Sequence, residues 1–170
     1  MDIHRYEKIW IGISLLFVLG LIATVTYGAV GAGVKTIGNQ GGTVNPNDLQ
    51  NTPFGNPGVR KVGPNHYAVY VVARQFYYQP GTGKPITVPA GSDVTFYVTS
   101  ADVIHGFEVV DTNINSMAIP GEVSKFTVHF DKPAKYGIIC NEYCGVGHGS
   151  MQGRLNVVPQ SQFNLTEANQ

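Results

Sequence analysis

Cysteine is scarce in this 170-residue chain, which has only two, at positions 140 and 144. Small exported folds stapled by disulfides carry more, spread along the sequence, so whatever this pair does, it does locally. Charge of one sign is lacking as well, since 11 Lys and Arg balance 11 Asp and Glu. That neutrality removes the electrostatic reason to expect nucleic acid or another anionic polymer as a partner. Tryptophan occurs once, at Trp10. No internal repeat is visible, and no convincing helix follows the N-terminal region. Apart from that region, the length suffices for one small domain and a linker, not for two domains.

What is present begins with a long apolar run. Between Ile9 and Val34 there is no charged residue, and the stretch Trp10–Ala32 is rich in Leu, Ile, Val and Phe. A helix of that length exceeds the ~30 Å hydrocarbon core of a bilayer, and Tyr6, Trp10 and Tyr27 stand where interfacial aromatics anchor a span. The rival reading is a cleaved signal peptide, with Ala29, Gly31 and Ala32 as the small residues of a cleavage site. Signal sequences have apolar cores of only ~7–15 residues, so a retained single-pass anchor over residues 1–34 is favoured. Arg5 and Lys8 precede the run and Lys35 follows it. This bias expects a cytoplasmic N-terminus and a domain on the extracytoplasmic, periplasmic side of the plasma membrane.

Residues 35–64 turn abruptly to Gly, Asn, Pro and Thr, as in Gly38-Asn39-Gln40-Gly41-Gly42. With neither helical nor strand period, this stretch is expected to be a flexible linker. From Tyr67 the chain reads as punctuated β-structure: Tyr67–Ala73, Ile86–Val88, Val94–Thr99, Val103–Val110, Val123–Phe130, Tyr136–Ile139 and Arg154–Val158. Pro80-Gly81, Pro89-Ala90-Gly91, Pro120-Gly121 and Lys132-Pro133 separate the runs. Seven or so short strands at this spacing predict an all-β, two-sheet Greek-key sandwich or barrel over residues 65–159. The polar tail, 160–170, is expected to fray, and its Asn164-Leu165-Thr166 sequon to be incidental.

The chemistry lies in Cys140-Asn141-Glu142-Tyr143-Cys144-Gly145-Val146-Gly147-His148-Gly149-Ser150-Met151, which follows the end of a predicted strand. Two thiols, an imidazole and a thioether fall within one loop, and a loop on a rigid sandwich can turn them towards one point. A closed structural zinc site takes four Cys or His ligands and gains nothing from Met. A thioether beside thiolates and imidazoles points to copper. A mononuclear blue-copper site uses one Cys and two His, whereas a second cysteine here offers a second sulfur to bridge two ions. Each ion then needs one histidine, and His105, in Asp102-Val103-Ile104-His105, is the candidate for the second. His4 lies beyond the apolar run, and His66 and His129 have no ligand-like neighbours, so packed or surface roles suit both.

These residues resemble the copper A motif of subunit II of heme–copper oxidases: Cys-x3-Cys-x3-His-x2-Met with an upstream Asp-Val-Ile-His. Asn113-Ile114-Asn115, Pro120-Gly121-Glu122 and Tyr136-Gly137 extend the likeness from about Tyr67 to Val158. The resemblance implies a cupredoxin-like fold and a dinuclear copper centre on His105, Cys140, Glu142 through its backbone carbonyl, Cys144, His148 and Met151. It also implies electrons accepted from cytochrome c and passed to hemes held only by subunit I, where oxygen is reduced to water and protons are translocated. In the family the side chain matching Glu142 helps hold a magnesium ion at the interface with subunit I. A single span and the sequence Tyr6-Glu7-Lys8-x-Trp10 look like the B-type branch, in which the carboxylate matching Glu7 takes protons up; a solvated juxtamembrane acid is the plain alternative.

The family's aromatic cluster, where electrons arrive, corresponds to Arg74-Gln75-Phe76-Tyr77-Tyr78, without tryptophan. Phe76, Tyr77 and Tyr78 are the candidates to replace it, with Met117, Ala118 and Ile119 as apolar docking surface, although such aromatics are commonly sandwich core. Three readings compete with the copper pair of an oxidase. They are a local Cys140–Cys144 disulfide, a mononuclear copper carrier or delivery protein, and a copper pair serving nitrous or nitric oxide reduction.

Overall fold

The computed structural model describes residues 4–28 and 41–169. They belong to two compact units, Met1–Thr36 and Ile37–Gln170. The first contributes one helix, α1 (Arg5–Thr26), of 22 residues. At 1.5 Å per residue that is roughly 33 Å, enough to cross the hydrocarbon core of a bilayer. The part of the expected span after Gly28 lies outside the described residues. Glu7 sits in the first turn and accepts the backbone N–H of His4 at 3.0 Å, capping the helix start.

The second unit is a sandwich of two five-stranded sheets. One contains β1 (Gly58–Gly63), β2 (His66–Arg74), β3 (Tyr77–Gln79), β5 (Ser92–Ser100) and β8 (Ser124–Phe130). The other contains β4 (Ile86–Pro89), β6 (His105–Val109), β7 (Asn115–Ala118), β9 (Ala134–Ile139) and β10 (Gln152–Val158). The orders are β1-β2-β5-β8, with β3 folded back on β2, and β4-β10-β9-β6-β7. The pairs β2–β5 and β10–β4 are parallel. Period-two alternation sends Tyr67, Val69, Val71 and Ala73 of β2, Val94, Phe96 and Val98 of β5, and Phe107, Ile138 and Leu155 of the facing sheet into one core. Cys140, Cys144 and Met151 belong to that same core.

Each of the seven expected strands is present, at bounds shifted by a residue or two. The structure adds β1, β3 and β7, which are short or glycine-flanked and carry little pattern of their own. It also corrects two expectations. From Gly41 onward the stretch expected as a flexible linker is folded. Two short 3-10 turns (Pro46–Asn51 and Pro53–Gly55) bury Leu49 and Phe54 against Val72 and Val123 on the outer face of the first sheet. Each such side chain contributes about 1.5–3 kcal/mol when removed from water, which outweighs the polar composition around it. The tail is ordered as well: α2 (Leu165–Asn169) buries Ala168, and the Asn169 amide pairs with both backbone groups of Val59 in β1. Phe163 packs edge-on against Tyr67.

Candidate metal centre

The site is built where three strands of one sheet end. In the β6–β9 pairing Glu108 faces Ile139, so β6 runs on past the end of β9 and carries Gly106 and His105 beside the loop that follows. That loop leaves β9 at Cys140 and re-enters β10 after Met151, and the two ends are tied by Cys140 N–H donating to the Met151 carbonyl. Gly106 lets the loop lie this close: a Cβ there would stand 2.6 Å from the Asn141 backbone nitrogen and would strike its side chain. Within the loop, Gly145 adopts φ +128°, open to glycine but strained for other residues. A short 3-10 turn (His148–Ser150) then brings the chain back.

The sulfurs of Cys140 and Cys144 lie 3.7 Å apart. Both cysteines are free and buried, and a disulfide requires about 2.05 Å, so the local disulfide is not what the fold makes. The Sδ of Met151 is 3.7 Å from Cys144 Sγ, and His148 Nδ1 is 3.7 Å from the same sulfur. One ligand atom each from His105, Cys140 and Cys144 all fall within 4.8 Å of one another. Glu142 turns its backbone carbonyl to 3.1 Å from Cys140 Sγ, while the residue itself is exposed. His66 spends its Nε2 on the Thr95 hydroxyl, and His129 pairs with Asp93.

His105 is the most telling member. It is 0 % exposed, and its Nε2 donates to Asp102 Oδ1 at 2.8 Å. Its other ring nitrogen, Nδ1, is buried without a partner. A buried ring nitrogen costs about 1–3 kcal/mol when left unpaired, and a neutral imidazole oriented by a carboxylate is the usual form of a metal-bound histidine. The Asp102 partnership, open in the sequence, is thus present. Burial works to raise the Asp102 carboxyl, but hydrogen bonds from His105 and from the backbone N–H of Gln75 and Val103 outweigh it and hold it below its ordinary range. Burial, and then the Cys140 sulfur alongside, push the Cys144 thiol up to about 11. A thiolate there needs a cation to stabilise it, and metal binding is coupled to that deprotonation. Two sulfurs, two imidazoles and a thioether suit copper better than zinc.

The candidates for electron arrival separate. Phe76 lies against the ligand loop, and a Cβ on Gly147 would stand 2.5 Å from its ring. Tyr77 and Met117 are exposed, and Ile119 is half-buried. Tyr78 requires correction as a docking residue: it is 1 % exposed, its hydroxyl donates to the Gly106 carbonyl at 2.6 Å, and its ring packs edge-on on Phe107. Burial, and then the nearby Cys140 sulfur, raise its phenol far above the ordinary value. The apolar rim of the loop is instead Tyr143 and Val146, 78 % and 99 % exposed. Sequence reasoning missed both of these, and also Gln75, whose signal is a lone amide ahead of three aromatics at a strand end.

Comparison with known proteins agrees with this geometry. Residues 69–158 match the family model for the periplasmic domain of cytochrome c oxidase subunit II. Cytochrome c oxidase subunit 2 of Thermus thermophilus is 45 % identical over 160 residues, spanning 91 % of this chain and 93 % of that protein. A solved heme–copper terminal oxidase dimer contains a chain that is 34 % identical, with a TM-score of 0.70 over 91 % of this chain and 100 % of that one. The periplasmic domain of subunit II of the Bradyrhizobium japonicum cytochrome oxidase, at 22 % identity and a TM-score of 0.55, covers 59 % of this chain and 91 % of that one. The last likeness concerns fold alone, and the sandwich is cupredoxin-like.

Proposed function

The chain belongs to the cytochrome c oxidase subunit II family, and from that premise we propose that it is the electron-accepting subunit of a membrane-bound heme–copper oxidase, with a dinuclear copper A centre. In this reading electrons arrive from cytochrome c and leave for the hemes of subunit I, where oxygen is reduced to water with proton translocation. A copper pair supplies reversible one-electron chemistry at the site. The single observation that carries the proposal is the orphaned, buried Nδ1 of His105 among two sulfurs and a thioether.

Each residue has a task. Cys140 and Cys144 would hold the copper pair between their sulfurs, 3.7 Å apart, and their fixed positions in the core would keep electron transfer from rearranging the site. His105, His148, Met151 and the Glu142 carbonyl would complete the donor set that holds the pair. Asp102 fixes the tautomer and tilt of His105. The sandwich core around Cys140, Cys144 and Met151 keeps water away and the donors fixed. The loop rim of Tyr143 and Val146, with Phe76 beneath it, is a surface of suitable polarity for a brief redox partner. We further assign α1 as a single-pass anchor with a cytoplasmic N-terminus, Glu7 as the proton-uptake carboxylate, and the exposed Glu142 side chain as a magnesium ligand facing subunit I. The one candidate span among the described residues and the sequence Tyr6-Glu7-Lys8-x-Trp10 support a B-type oxidase.

Copper analysis of the full chain in detergent tests the proposal. It predicts two copper ions per chain, reduced to one or none by Cys140→Ser or Cys144→Ser. One copper in the unaltered chain would refute it in favour of a mononuclear carrier.

A further inference from the structure

The turn between β2 and β3 does more than reverse the chain. Gln75 begins it, and its backbone N–H donates to Asp102 Oδ2 at 2.8 Å. Its side-chain Nε2 donates to the carbonyl of Cys144 at 2.6 Å. The other oxygen of the same Asp102 holds His105 Nε2. One residue therefore ties together the two segments, distant in sequence, that bring His105 and Cys144 to the site. The next residue, Phe76, closes the same gap, lying against Gly145 and Gly147 of the ligand loop.

Resting on the copper reading above, we propose that Gln75 is a positioning residue that sets the electronic environment of the copper pair, through its amide bond to the Cys144 carbonyl. The physical route is short. The Cys144–Gly145 peptide plane fixes the direction of the Cys144 Cα–Cβ bond, and hence where its sulfur lies relative to Cys140. A donor on that carbonyl locks the plane and withdraws electron density next to a ligand residue. Gln75 is itself exposed, so the fold does not need it for core packing. What it holds is the ligand loop.

The test compares the full, copper-loaded chain with Gln75→Leu and Gln75→Glu. Leucine keeps bulk without a donor; glutamate keeps shape but replaces the donating amide with an acceptor. Both variants are expected to load copper to the wild-type level and to melt close to wild type. Both should displace the visible and EPR spectra of the loaded site. Both should also shift the reduced-to-oxidised ratio at a fixed applied potential by about threefold or more, the scale of one modest hydrogen bond. Wild-type spectra and ratios in both variants overturn the proposal, even if the variants melt earlier, because a purely structural role moves stability without moving the loaded spectrum. A shift in Gln75→Leu with a wild-type Gln75→Glu also overturns it, since side-chain shape and polarity, and not donation, would then matter. If the unaltered chain takes up no copper pair, the copper reading fails; if it loads normally and the variants match it, the Gln75 assignment alone fails.

Discussion

Replacing Gly106 with alanine puts one methyl group where β6 and the ligand loop touch. The new Cβ would meet Asn141 on two sides, its side-chain oxygen and, at 2.6 Å, its backbone nitrogen. The amide can swing away at the cost of its 3.0 Å bond to Asn115 Oδ1. The backbone nitrogen has no such freedom, because its neighbour Cys140 is tied to Met151 at the base of the loop. The strain must therefore pass into the position of Cys140 or of His105, one residue on either side of the contact. Overpacking of this kind costs about 1–3 kcal/mol. At about 3 °C per kcal/mol for a domain of this size, the melting temperature should fall by roughly 3–9 °C. If the strain is relieved by displacing the loop and must be restored on binding, copper affinity falls about 5- to 150-fold. Gly149→Ala is the control, since nothing lies within 4 Å of a Cβ at that position. Melting curves and copper competition titrations on the two variants decide the matter. A Gly106→Ala protein with wild-type melting and affinity, or one no worse than Gly149→Ala, would mean that the contact with Asn141 does not set the position of the ligand loop.

Three further outcomes follow from the same geometry. Asp102→Asn exchanges a charged acceptor on His105 Nε2 for a neutral one and sets an amide N–H against that of Gln75, so copper affinity should drop about 10- to 100-fold; unchanged affinity in a competition titration would contradict this. The ring of His129, held by a hydrogen bond to Asp93 at 2.7 Å, should titrate above the ordinary histidine value, and Asp93→Asn should bring it back, as read by NMR. Because its native pKa is raised, its small stabilising effect is complete below about pH 6.5 and fades as pH climbs through the raised native value. Asn169→Ala removes both amide bonds to Val59 in β1, which at about 1 kcal/mol each should lower the melting temperature by roughly 6 °C; an unshifted melt would mean the tail adds nothing.

Much of the fold was legible because its central strands alternate. Tyr67-Ala68-Val69-Tyr70-Val71 in β2 and Val94-Thr95-Phe96 in β5 announce both the strand and the face that enters the core. Strands β1 and β7, by contrast, lie at sheet edges, and edge strands need less apolar sequence. Leu49, Phe54 and Phe163 are single apolar residues in polar surroundings, and only tertiary contact with Val72 or Tyr67 reveals their roles. The candidate ligand residues stood out because Cys, His and Met crowd one loop, a combination that metal binding accounts for. Orienting groups carry no such mark. Asp102 is an ordinary acid three residues from a histidine, and Gln75 an ordinary amide, until the β2–β3 turn and the start of β6 meet. Tyr78 shows the opposite failure, since an aromatic triplet does not reveal which ring faces the core.

The central claim is that Cys140 and Cys144 serve two metal ions as one unit. Its most direct measurement is the EPR spectrum of the oxidised, copper-loaded full chain. Hyperfine splitting from one unpaired electron shared equally by two copper nuclei is expected, lost when either cysteine becomes serine. Splitting from a single nucleus in the unaltered chain would contradict it.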